Sequence, residues 1–93
     1  MILREGDALR VTGPLTMQTV PELSEAVEEH FRAGANQIDF SDVTEVDSSA
    51  VALMLEWQRL AARSNISLRL RNLPVAMINL SNLYGVSELV HPS

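Results

Sequence analysis

The chain has no cysteine and no lysine among its 93 residues. Without cysteine there are no disulfides, no thiolate metal ligands and no thiol nucleophile, which suits a reducing compartment. Without lysine there is no Schiff-base amine and no phosphate-loop lysine. Every basic side chain is an arginine, and the net charge is −5. That balance argues against nucleic acid, because affinity there comes mostly from neutralising phosphates. No apolar run reaches the roughly 18 residues a membrane helix needs. No signal-peptide pattern is read at the start. The expectation is a soluble, cytoplasmic protein that acts on a membrane, if at all, through a partner and without inserting itself.

Length predicts one domain over residues 1–93. A chain of this size buries roughly 60–65% of its unfolded surface, enough for one modest core and too little for a deep cleft. Short strand-like runs at Ile2-Leu3-Arg4-Glu5 and Ala8-Leu9-Arg10-Val11-Thr12 flank Gly6-Asp7, which reads as a hairpin turn. Gly13-Pro14 is expected to stop the second strand. Thr19-Val20-Pro21-Glu22 reads as a capping box with proline in the first turn of a helix. Gly34 suits the C-terminal cap of that helix. Gln37-Ile38-Asp39-Phe40 reads as a strand, followed by a polar, acidic turn and a second helix over about Ser49 to Arg63. Ser67-Leu68-Arg69-Leu70-Arg71 alternates like a half-buried strand. Asn72-Leu73-Pro74 opens a third helix, with Tyr84 at helical spacing and Gly85 ending it.

The order β-β-α-β-α-β-α predicts an α/β fold: a mixed sheet of four to five strands, with helices packed mainly on one side. Ile38, Phe40, Leu53, Leu60, Leu68, Leu70, Leu80 and Leu83 are the expected core.

Chemistry-bearing residues are few. Asp39, Asp42, Glu45 and Asp47 crowd one segment, but they lack the glycine and terminal glutamate of a Ca²⁺ loop. A solvated acidic rim is the simpler reading. His30 and His91 are far apart in sequence and have no third ligand for zinc. Ser49, His30 and an aspartate have no nucleophile elbow around them. The expectation is therefore no catalysis and no cofactor. Ser49 is the expected N-cap of the second helix, and both Ser48 and Ser49 could accept phosphate there. The run Ala50 to Leu55 is apolar nearly all round, which implies burial on more than one side, or a partner surface with Met54 as an adaptable contact. Trp57 lines up with Leu53, Leu60 and Ala61 and reads as core ahead of the alternative, an interface hot spot.

The segment Ile38-Asp39-Phe40-Ser41-Asp42-Val43 through Val46-Asp47-Ser48-Ser49-Ala50-Val51-Ala52-Leu53 resembles the signature of STAS domains, the sulfate-transporter and anti-sigma-factor-antagonist modules. The resemblance covers nearly the whole chain and implies the STAS-type fold. Two branches fit. In anti-sigma factor antagonists the second serine of Asp-Ser-Ser-Gly is phosphorylated by a partner kinase. Ser49 matches that serine, while Ala50 stands where the branch has glycine. In the small cytoplasmic STAS subunit of the Mla phospholipid-transport ABC system, a hydroxyl residue follows the aspartate, and Ser48 matches it. Leu53-Met54-Leu55-Glu56-Trp57-Gln58-Arg59 and the ending Asn82 to Leu89 look like that branch too. This second resemblance implies a non-enzyme. Its partner would be an ABC ATPase in complex with its permease, at the inner face of the inner membrane. The expected partner-binding residues are Asp47, Ser48, Ser49, Val51 and Met54, with Ser49 the phosphorylation candidate of the other branch.

Overall fold

A computed structural model describes residues 1–83. β1 (Ile2–Glu5) and β2 (Ala8–Leu15) form an antiparallel hairpin around Gly6, whose φ of 62° suits a residue without a Cβ. α1 (Val20–Arg32) leads to β3 (Gln37–Val46), α2 (Ser48–Arg63) to β4 (Arg69–Arg71), and the chain continues into α3 (Val75–Leu83). The sheet order is β1-β2-β3-β4, with β2, β3 and β4 mutually parallel. The fold is the mixed α/β arrangement expected. The expectations for Tyr84, Gly85 and His91 lie outside the described residues.

Alternation decides which sheet face is covered. Leu9, Val11, Ile38, Phe40 and Leu70 are buried, together with Leu23, Val27 and Phe31 of α1 and Leu53, Trp57, Leu60 and Ala61 of α2. Trp57 is wholly buried, and its ring lies 6.2 Å from that of Phe40. On the other sheet face the register aligns Leu3, Arg10, Asp39 and Arg71 in one row across all four strands. Charge alternates along that row from Arg10 to Arg71. Arg10 also reaches Glu5 at 3.1 Å and Asp42 at 3.6 Å. Such exposed pairs contribute little stability.

Several elements depart from the sequence reading. β2 does not stop at Gly13-Pro14 but continues to Leu15. β3 runs six residues past Phe40, so the expected acidic turn from Ser41 to Val46 is strand. The cause is two bulges. Between Arg10 and Thr12 the partner moves from Asp39 to Asp42, and between Gly13 and Leu15 it moves from Val43 to Val46. Each bulge inserts one residue into β3 and breaks the period-2 pattern by which strands are recognised. Pro14 falls inside the second irregularity, where a missing N–H costs no regular ladder bond. β4 is shorter than expected, at Arg69–Arg71.

The capping box at Thr19 does not form. Thr19 is the N-cap of α1, but its hydroxyl donates to the Pro14 carbonyl at 2.8 Å and accepts from the Thr16 N–H at 3.1 Å. The side chain braces the β2–α1 loop instead of the helix. At the other end of α1, Gly34 N–H meets the Phe31 carbonyl and Ala35 N–H meets that of His30, with Gly34 at a φ of 99°. Asn65 ends α2 in the same way. Arg4 on β1 adds hydrogen bonds from its guanidinium to the carbonyls of His30 and Ala33.

The core expectation holds for Ile38, Phe40, Leu53, Leu60 and Leu70. Leu68 is half-buried against the core, and Leu80 is half-buried. Leu83 is 76% exposed, because α3 turns Met77 and Ser81 inward instead. Among the described residues no helix is long and apolar enough to cross a membrane.

Leu53→Ala removes a wholly enclosed side chain and should destabilise the fold by about 2–5 kcal/mol in urea melts. Leu83→Ala, at an exposed site, should leave the midpoint nearly unchanged.

Candidate functional site

The end of β3 delivers the chain directly into α2. Asp47, in an extended conformation, is the N-cap, and Ser48 and Ser49 are the first two helical residues. This corrects the expected cap at Ser49. A carboxylate reaches the N–H groups of a first turn as well as a hydroxyl does, and carries a charge that suits the positive helix end. Asp47 Oδ1 accepts from the Ser49 N–H at 2.8 Å, and Oδ2 accepts from the Met17 N–H at 3.1 Å. The Asp47 N–H donates to the Leu15 carbonyl at 3.2 Å. One residue thus ties the β2–α1 loop to the start of α2.

Burial of Asp47 works against its charge. The N–H groups of Met17 and Ser49 and the Ser49 hydroxyl outweigh it and hold the carboxyl below its ordinary value. Asp39 is lowered in the same way. Partial burial opposes its charge, but the Asn72 amide, the Ser41 N–H and hydroxyl, and the nearby Arg10 together prevail.

Ser48 is exposed and Ser49 is half-buried. Val51 is buried and Met54 is wholly enclosed in the core. Neither of these two can meet a partner without unpacking the domain, so the reading of Met54 as an adaptable contact is corrected. The apolar excess at the start of α2 goes mostly inward, with Ala50, Val51, Leu53 and Met54 all buried. Ala52, one turn beyond Ser48, is exposed, and Leu55 is half-buried. The surface of the site is therefore Ser48, Ala52, the edge of Ser49 and the neighbouring loop at Met17. Sequence reasoning missed Met17. Its place beside α2 depends on a hydrogen bond to a residue 30 positions away, which no local pattern announces. Glu45 is exposed and Asp42 is exposed beside Arg10. Among the described residues no group of three or more His, Asp or Glu side chains is placed to hold a metal.

Two outcomes follow from the Asp47 clasp. Asp47→Ala should lower the melting temperature more than Ser49→Ala does, because the carboxylate, not the Ser49 hydroxyl, caps the helix. The folded-state values of Asp39 and Asp47 are depressed, so their stabilisation is complete above the unfolded aspartate value. It is lost as pH falls below that value and through the folded ones. The melting temperature should fall as the pH drops below about 4, less steeply in Asp47→Asn.

A family model described as "Mlab, STAS domain" matches residues 2–91. None of the curated proteins matches the chain. Among solved structures, the anti-sigma factor antagonist SpoIIAA in its unphosphorylated form is similar, with a TM-score of 0.73 and 18% identity over 100% of this chain and 86% of that one. At that identity the likeness is one of fold. The hairpin, the parallel strands with returning helices and the Asp-Ser-Ser turn at the head of α2 agree with the family match, and the chain belongs to the MlaB-type STAS domain family.

Proposed function

We propose that the protein is a non-catalytic accessory subunit of an ABC phospholipid transporter of the Mla type, which maintains outer-membrane lipid asymmetry. It binds the ATPase subunit, in complex with its permease, and supports assembly and activity of the transporter. Residues 1–93 form a single domain in this reading. It sits in the cytoplasm, at the inner face of the inner membrane, and is held there by the transporter. The family match supports the reading. The observation that carries it to a site is the exposure of Ser48. This is the hydroxyl position that the transporter branch shares, and it lies on the surface at the first residue of α2.

The docking surface comprises the Asp47-Ser48-Ser49 turn and the exposed side of the first turns of α2. Val51 and Met54 support it from beneath. A rigid, braced surface loses little conformational freedom on binding. The alternative is an anti-sigma factor antagonist regulated by phosphorylation of Ser49. The likeness to SpoIIAA is compatible with it, because the two branches share a fold.

Ser48→Arg introduces a long cation where close approach is needed. It should reduce co-purification of the ATPase by the equivalent of a few kcal/mol, as changes at interface centres do. The thermal melt should stay near wild type, because the site is exposed. Retention of the ATPase by a folded Ser48→Arg protein would reject this docking surface. Stoichiometric phosphorylation of Ser49 by an anti-sigma kinase, with loss of kinase binding in Ser49→Asp, would establish the alternative.

A further inference from the structure

Met17 is 71% exposed, yet the loop that carries it is firmly held. Its N–H is fixed by Asp47 Oδ2. Thr19 ties the loop to Pro14 and Thr16, and the Thr16 hydroxyl donates to the Gln18 side-chain oxygen at 2.9 Å. A single exposed apolar residue is ordinary on a protein surface. Here, however, the residue is presented by a braced loop that is hydrogen-bonded to Asp47, the residue before the exposed Ser48. The chain's other methionines are elsewhere: Met54 and Met77 are wholly buried, and Met1 pairs with Thr12 along the outer strand.

Charge is divided along the same axis. Arg69 lies opposite Gln37, and Arg10 and Arg71 lie opposite Asp39, all at the start of β3. Arg4 and Arg32 are at the end of α1, and Arg59 and Arg63 are in the second half of α2. All seven arginines thus lie away from the end where α2 begins. That end carries Glu45, Asp47 and, in the first turn of α1, Glu22.

We infer that Met17 is the apolar anchor of the docking surface, and that it enters an apolar pocket rimmed by arginine or lysine on the ATPase subunit. This rests on the transporter reading above. The apolar side chain and its acidic border match a partner of opposite charge, which also speeds encounter. An unbranched thioether fits such a pocket with little demand on its shape.

The test measures binding of the purified ATPase subunit from the same organism to the full chain, with a thermal melt of each variant. Met17→Ala should weaken binding about tenfold or more, and Met17→Leu should retain most of it. Both should melt like wild type. Glu45→Arg should slow association and flatten its salt dependence, whereas Arg32→Glu, at the far end, should change neither. If Ser48→Arg loses the ATPase while Met17→Ala binds within about twofold of wild type, the anchor is refuted and the transporter reading stands. Affinity that is indifferent to salt and to Glu45→Arg refutes the basic rim. If the wild-type chain does not bind the ATPase, the transporter reading falls and the anchor falls with it.

Discussion

The parallel pairing of β2 with β3 is the constraint on which the rest of the architecture depends. Parallel neighbours cannot be joined by a tight turn, so the chain must leave the sheet at Leu15, return along α1 and re-enter at Gln37. The same requirement places α2 between β3 and β4. Both helices then cover one face of the sheet, and both begin beyond the carboxyl ends of their strands. The β2–α1 loop and the β3–α2 turn thereby become neighbours, although they are separated by almost a third of the sequence. The Asp47 carboxylate joins them with one oxygen to each. Backbone topology makes the candidate surface; the side chains there only stiffen it.

Much of this was legible locally. Gly6-Asp7 between alternating runs marks a hairpin, and Ile38 and Phe40 mark an inward strand face. Leu53, Trp57, Leu60 and Ala61 mark the inward stripe of a helix, and all are buried. What could not be read depended on which of several competing partners each group takes, some of them distant in sequence. The two extra residues in β3 make Ser41 to Val46 look like a turn, and only the ladder with β2 reveals a strand. Thr19 has the sequence of a capping box, but its hydroxyl finds Pro14 first. Ser49 looks like a cap, and Asp47 takes the role because its carboxylate can serve a helix and a loop together. Val51 and Met54 looked like surplus apolar surface. In fact Ala50, Val51, Leu53 and Met54 all pack inward, which leaves little of the first turns of α2 in water.

The candidate site illustrates a division between residues that build a surface and residues that present it. Ala50, Val51, Leu53 and Met54 anchor the start of α2, and Ser48 and Ala52 are what remains outside. Position within a single helical turn separates the two roles. A family signature read as a string does not make that distinction, because its apolar letters and its hydroxyl letters stand side by side.

Arg4 carries a further consequence. β1 is an outer strand of the sheet, and its free side offers backbone groups that another chain could extend. Arg4 is exposed, and its guanidinium reaches across to the last carbonyls of α1. A foreign strand laid against β1 would have to enclose that cation or pull it off the helix end. The contact that finishes α1 therefore also discourages the sheet from growing into a fibre. In a small protein that carries so few surface cations, one side chain guards both the helix and the border of the sheet.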